Sequence, residues 1–193
     1  MKLRGLYAIT PEATDMVGKV RLALEGGIAL LQYRRKRRDL DEAREIAALA
    51  RRYGVPLIVN DDVELALGLD AGGAHLGRDD GDLTLARRRL SGRLLGASCY
   101  DDPERARSAV AAGADYVAFG SVFASSTKPA AVRAPLALLA MDLGVPVCAI
   151  GGITLQNAPQ ALEAGADLLA VVSDLFDAPD IAARAAQYRR LFA

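Results

Sequence analysis

Tryptophan is absent from this 193-residue chain, and aromatic residues make up only 5 % of it. Platforms that stack the bases of single-stranded nucleic acid are built from aromatic rings, so that class is disfavoured. A basic excess is missing as well. The 24 Lys and Arg are matched by 24 Asp and Glu, giving a formal net charge of zero, whereas a non-specific nucleic-acid binder carries surplus positive charge. No run of 18 apolar residues is available to cross a membrane. The start, Met1 to Tyr7, lacks the long apolar segment of a secretory signal. Cysteine is scarce: Cys99 and Cys148 have no CxxC spacing, which argues against a disulfide or zinc framework and fits a reducing cytoplasm. The single histidine, His75, rules out a histidine-cluster metal site and leaves any Ser-His-Asp triad hanging on one residue. Lysine is rare too, with Lys2, Lys19, Lys36 and Lys128 against 20 arginines.

What remains is a globular composition, 52 % hydrophobic and 25 % charged, of a size for one domain over residues 1–193. Short β-rich apolar runs predict strands near Leu6–Thr10, Ala29–Arg34, Leu57–Asn60, Gly73–Leu76, Leu94–Ser98, Tyr116–Phe119, Val147–Ile150 and Leu168–Val172. Amphipathic stretches lie between them. In Leu40–Tyr53 the residues Ala43, Ile46, Ala47, Leu49 and Ala50 share one helical face. Ala112-Gly113-Ala114-Asp115 and Ala164-Gly165-Ala166-Asp167 each precede a strand, the glycine ending a helix. This self-similarity predicts a repeating βα architecture. Eight strands alternating with eight helices point to an α/β fold, a single (β/α)8 TIM barrel of near-minimal length. A doubly wound sheet is the alternative, but no G-x-G-x-x-G opens the first helix.

In such a barrel the active site forms at the carboxyl ends of the strands, and polar residues follow the predicted strands. Gln32 and Arg34 alternate onto one side of an extended segment, with Lys36 two further on; the set reads as an anion site or as a solvated basic loop. In Asn60-Asp61-Asp62 one Asp is expected to cap the next helix and the other to be functional. His75 reads as a structural residue. Asp61 and Asp80 offer oxygen ligands to Mg²⁺, which takes one or two carboxylates plus substrate phosphates. The loop from Gly120 to Pro129 is rich in small residues and hydroxyls and carries Lys128. It reads as a phosphate binder or as a surface loop. Gly151-Gly152 and Ser173 follow strands seven and eight, a common barrel phosphate site. Two anion zones result. One holds Gln32, Arg34, Lys36 and Lys128 with Mg²⁺ at Asp61 and Asp80; the other lies across Gly152 and Ser173. No convincing nucleophile accompanies them, so the pattern suggests transfer between two phosphate-bearing substrates.

Leu6-Tyr7-Ala8-Ile9-Thr10, Gln32-Tyr33-Arg34-Arg35-Lys36, Asn60-Asp61, His75-Leu76-Gly77, Thr127-Lys128 and Ala149-Ile150-Gly151-Gly152-Ile153 stand in the order seen in thiamine-phosphate synthases. The chain resembles that family over essentially its whole length. The resemblance implies a cytoplasmic transferase that joins 4-amino-5-hydroxymethyl-2-methylpyrimidine diphosphate to a thiazole phosphate, with Mg²⁺, by dissociative loss of pyrophosphate. It implies that Gln32, Arg34, Lys36, Asn60, Ser98 and Lys128 hold the pyrimidine diphosphate. Arg34, Lys36 and Lys128 would be the catalytic cations, and Asp61 and Asp80 the metal ligands. Ser125, Thr127, Gly152, Val172 and Ser173 would hold the thiazole phosphate. The implied partners are these two small substrates, with no nucleic acid, no membrane, and a homo-oligomer left open. Ser125 replaces a Thr common in the family. Tyr100 stands where some members, and the related thiazole tautomerases, have His. A tautomerase-like isomerase, a sugar-phosphate epimerase and a non-catalytic phosphate-binding relative are the alternatives.

Overall fold

The computed structural model describes residues 3–37, 39–124 and 132–193. Eight parallel strands close into a barrel in chain order: β1 (Gly5–Ile9), β2 (Leu30–Tyr33), β3 (Leu57–Asn60), β4 (Gly73–Leu76), β5 (Leu94–Tyr100), β6 (Tyr116–Phe119), β7 (Val147–Ile150) and β8 (Leu168–Val171). The expected (β/α)8 barrel is therefore the observed one, and every strand falls within two residues of its sequence-based limits. Hydrophobic period two sorts the side chains. Tyr7, Ile9, Leu30, Ile58, Tyr116, Ala118, Cys148, Leu168 and Ala170 form one buried cluster inside the barrel. Their alternate neighbours, such as Leu6, Ala8, Leu31, Tyr33, Leu57 and Val59, join the larger layer under the helices. Cys148 and Cys99 are both free and buried, Cys148 in the inner cluster and Cys99 in the outer.

The helices are α1 (Met16–Gly26), α2 (Leu40–Arg52), α3 (Val63–Gly68), α4 (Leu83–Arg89), α5 (Pro103–Ala111), α6 (Ala158–Glu163), α7 (Ser173–Phe176) and α8 (Ile181–Arg190). Alternation is not perfect. Between β6 and β7 the described residues hold a 3₁₀ turn, Leu136–Ala140, entered from Pro135, and β8 is followed by two helices in succession. Aspartate caps most of these elements. Asp15, Asp39, Asp62, Asp82, Asp102 and Asp180 each accept a backbone N–H from the first turn, which is the N-cap bond. The first five of these helices directly follow a strand, so their caps lie at the mouth end of the barrel. The buried faces are alanine-rich (Ala43, Ala47 and Ala50 in α2; Ala106 and Ala109 in α5). Small side chains let short helices lie close to the sheet, which explains how a full barrel fits this length.

The two Ala-Gly-Ala-Asp repeats do the same work at the opposite end. The Asp115 carboxylate accepts the N–H of Leu95 at 2.7 Å, and the Asp167 carboxylate that of Val147 at 3.1 Å. Their own N–H groups donate to Leu95 O and Val147 O at 2.7 and 2.8 Å. Each Asp thus pins the start of the preceding strand. Among the described residues no helix is long and apolar enough to cross a membrane.

Candidate active site

The strand ends bring Gln32, Asn60, His75 and Ser98 to the inner face of the mouth, from β2, β3, β4 and β5. Register places Asn60 beside His75 and Ser98 beside Ala118 of β6. The β5–β6 pairing shifts between Ser98 and Tyr100, a bulge of the kind that re-aims side chains at barrel rims. Gln32 and His75 are two of the few fully buried polar residues, and buried polar groups must be hydrogen-bonded. Gln32 Nε2 donates to Tyr7 Oη at 2.6 Å. His75 Nδ1 lies 3.1 Å from Tyr116 Oη, and Nε2 lies 2.8 Å from Ser98 Oγ. Burial drives the His75 pKa down to about 4 against a weaker pull from the Asp80 charge. The ring is therefore neutral, and the structural reading of His75 gains a definite set of partners.

Arg34 leaves β2 with its backbone locked. Its N–H donates to Thr10 Oγ1 at 2.9 Å, and Thr10 Oγ1 donates back to Arg34 O at 3.1 Å. The next residue serves the scaffold: Arg35 bonds the Glu42 carboxylate through Nε at 2.8 Å and the carbonyls of Pro11 and Ala13. Lys36 is exposed on the bend beyond, its N–H held by Glu12 Oε1 at 2.7 Å.

The paired aspartates after β3 divide their work. Asp62 caps α3 by accepting the Leu65 N–H at 2.9 Å. Asp61 takes a left-handed backbone, φ 61°, which Asp tolerates, with its N–H bonded to His75 O at 2.8 Å. Its carboxylate accepts from Asn60 Nδ2 and meets the Asp80 carboxylate. Burial first, and then the hydrogen bond and charge of Asp80, raise the Asp61 pKa to about 6, while the Arg34 charge opposes the rise. Asp80 is fixed by the Gly77 N–H at 2.8 Å. Two carboxylates thus share one spot at the rim, with a guanidinium close enough to act on them.

Tyr100 is an exposed residue at the end of β5. Its Oη accepts the Arg78 N–H at 3.2 Å, and the Arg78 guanidinium lies 4.9 Å over its ring. It steadies the loop that carries Asp80.

Across the mouth, the segments after β6 and β7 are tied together. Val122 N–H donates to Ile150 O, and Phe123 N–H to Gly151 O, both at 3.0 Å. Gly152 has φ 65°, and a Cβ there would stand 2.2 Å from Ala124 O, so only glycine fits. Asn157 Nδ2 donates to Gly152 O at 2.9 Å. Val172 and Ser173 lead into α7 immediately after β8. The Asp174 carboxylate anchors that helix through Leu155 N–H at 3.2 Å, and Arg184 and Tyr188 Oη at 2.7 Å each. Gly152, Val172 and Ser173 therefore lie on adjoining strand ends. Ser125, Thr127 and Lys128 lie outside the described residues. Tyr7 and Tyr116, whose hydroxyls bond Gln32 and His75, were given no site role in the sequence analysis. Their signal was present, a lone tyrosine on an inward position of an apolar strand.

A closed parallel barrel with its polar side chains gathered at the strand carboxyl ends is the layout of a (β/α)8-barrel enzyme. The chain belongs to the thiamine monophosphate synthase family, whose model matches residues 6–175, and that family is one of transferases. The thiamine-phosphate synthase of Aromatoleum aromaticum is 62 % identical over 202 residues, covering 99 % of this chain and 97 % of that protein. That of Azoarcus sp. is 56 % identical over 203 residues, covering 100 % and 98 %. Among solved structures, thiamine phosphate pyrophosphorylase from Pyrococcus furiosus aligns with a TM-score of 0.87 at 34 % identity, covering 98 % of this chain and 96 % of that one.

Proposed function

We propose that this barrel condenses 4-amino-5-hydroxymethyl-2-methylpyrimidine diphosphate with a thiazole phosphate to give thiamine phosphate and pyrophosphate. The observation that carries the reading is the Asp61–Asp80 carboxylate pair acted on by Arg34, beside the buried Gln32 and the half-buried Ser98, both hydrogen-bonded. Family membership supplies the reaction class.

The residues fit a Mg²⁺ ion. Two carboxylates in hydrogen-bonding contact repel each other when both are charged, and the raised Asp61 pKa records that repulsion as well as burial. The donors are all oxygen. Among the described residues no group of three or more His, Cys, Asp or Glu side chains gathers to hold a metal, so substrate phosphates would complete the shell, as Mg²⁺ commonly requires. Asp61 and Asp80 would hold the ion. When bound, it supplies positive charge to the diphosphate oxygens.

The protein's own residues account for the remainder. Loss of pyrophosphate from the pyrimidine methylene builds negative charge on the leaving group. Arg34 and Lys36, which follow β2, are assigned to that charge, and Lys128 to the same task. Fixed cations in a partly dry mouth stabilise such a transition state without reorganising. Gln32, Asn60 and Ser98 hold the pyrimidine ring, which carries the cation. The thiazole nitrogen then attacks the methylene, with its phosphate held by Gly152, Val172 and Ser173, assisted by Ser125 and Thr127. Orientation replaces covalent catalysis, consistent with the lack of an activated nucleophile among the described residues of the mouth.

The test is formation of thiamine phosphate and pyrophosphate from the two phosphorylated halves, with and without Mg²⁺, run beside an assay for thiazole tautomerisation. Product only with the metal is expected. Tautomerisation without condensation would overturn the reading, and full activity in chelator would overturn the metal assignment.

A further inference from the structure

A continuous hydrogen-bonded chain crosses the inside of the barrel. It runs from Gln32 Nε2 to Tyr7 Oη (2.6 Å), from Tyr7 Oη to Tyr116 Oη (2.8 Å), from Tyr116 Oη to His75 Nδ1 (3.1 Å), and from His75 Nε2 to Ser98 Oγ (2.8 Å). Tyr7, Tyr116, Gln32 and His75 are all buried. The path is a built one. The tyrosine rings meet edge to face at 5.8 Å and 82°. A Cβ on Gly96 would fall 2.3 Å from Tyr116 Oη and 2.5 Å from His75 Nδ1, so the contact between those two exists only because β5 carries a glycine there.

Each phenol has one proton, and a neutral imidazole has one N–H. With Gln32 donating its amide to Tyr7, a reversed chain would leave the buried Tyr7 proton with no acceptor in it, a costly arrangement. The assignment that leaves no proton of the chain unpaired has Tyr7 donate to Tyr116, Tyr116 to His75 Nδ1, and His75 Nε2–H to Ser98 Oγ. The two ends then face the mouth with opposite and fixed character. Gln32 keeps its carbonyl oxygen, an acceptor, for the ligand, and Ser98 keeps its hydroxyl proton, a donor.

We propose that Tyr7, Tyr116 and His75 are positioning residues whose chain sets this polarity and selects a heteroaromatic ring carrying an amino donor toward Gln32 and an unprotonated ring nitrogen toward Ser98. The inference rests on the reading of Gln32 and Ser98 as pyrimidine-binding groups. It adds that the 4-amino substituent is recognised through the core behind the site. An oxo group in its place presents an acceptor to the Gln32 carbonyl and is rejected. A site that must leave a buried polar group unpaired discriminates strongly against such an analogue.

Two measurements test it. His75 is the only histidine, so ¹⁵N-histidine labelling of the untagged protein reports one ring. At neutral pH the Nε2–H tautomer, with Nδ1 as acceptor, is expected. The Nδ1–H tautomer, or a mixture, would overturn the assigned direction. In kinetics, Tyr116→Phe should lower kcat/KM for the aminopyrimidine diphosphate about tenfold, the worth of one buried hydrogen bond. Its effect on the oxo analogue should be much smaller, so the preference ratio narrows. Equal loss on both substrates would reduce Tyr116 to a packing role. If Tyr116→Phe does not fold, Tyr7→Phe makes the same comparison. A wild-type protein that forms no thiamine phosphate would sink the proposed reaction, while the tautomer would still judge the relay.

Discussion

Replacing Asp61 with Asn should make the metal-free protein more stable. Asp61 and Asp80 crowd two carboxylates together, and burial with that contact lifts Asp61 from 3.8 to about 6. Between those values the folded chain binds more protons than the unfolded chain, so stability falls as pH rises through the window and stays lowered above it. A fully sequestered group shifted this far would cost about 3 kcal/mol. Asp61 sits at an exposed rim, where solvent screens charge, so about 1 kcal/mol is the working figure. For a chain of this size that corresponds to roughly 2–4 °C in Tm. Calorimetry in chelator at neutral pH should show Asp61→Asn melting higher than wild type, with the gap closing near about pH 4. Adding Mg²⁺ at about ten times its Kd should raise the wild type by about 1.4 kcal/mol and leave the variant nearly unmoved. A variant that melts lower in chelator, or an equal Mg²⁺ response in both proteins, would refute the carboxylate-pair reasoning.

Asp62→Ala should cost about 1 kcal/mol by removing the α3 cap while leaving the Mg²⁺ titration of activity unchanged, which separates the neighbouring aspartates by experiment. Gly152→Ala should raise the KM for the thiazole phosphate at least about tenfold with little change in that for the pyrimidine diphosphate, because the backbone meant to approach the phosphate is pushed from Ala124 O; steady-state kinetics with each substrate varied in turn reads the difference.

The fold was legible because parallel strands covered on both faces write themselves as apolar runs, and Gly or Pro marks their starts, as at Gly54-Val55-Pro56 and Gly144-Val145-Pro146. The helix expected between β6 and β7 was less so, since Pro135 and the short Leu-rich stretch after it settle for a 3₁₀ turn. At the site, alternation put Gln32 and Arg34 on one side of the segment, and the structure has Gln32 in β2 with Arg34 just past its end. Naming Asp61 as the metal ligand left the cap of the next helix to Asp62, and Asp62 is the residue that caps α3. A lone tyrosine on an inward strand position singles out Tyr7 and Tyr116, but their partners, and the part played by Gly96, lay beyond sequence reading. Their roles come from contacts across the barrel, 109 positions apart for the two tyrosines, and no local pattern encodes such a distance.

The aspartates of the two repeats, Asp115 and Asp167, fasten β5 and β7 at the floor of the barrel. A closed sheet has no free edge at which a slipped strand could be tolerated, so a fault at one latch is felt around the whole ring. The converse is useful. With register fixed from below, the loops above can be rewritten without asking them to hold the ring shut. Libraries confined to residues beyond the strand ends should therefore change ligand preference while their melting temperatures stay clustered near the parent's.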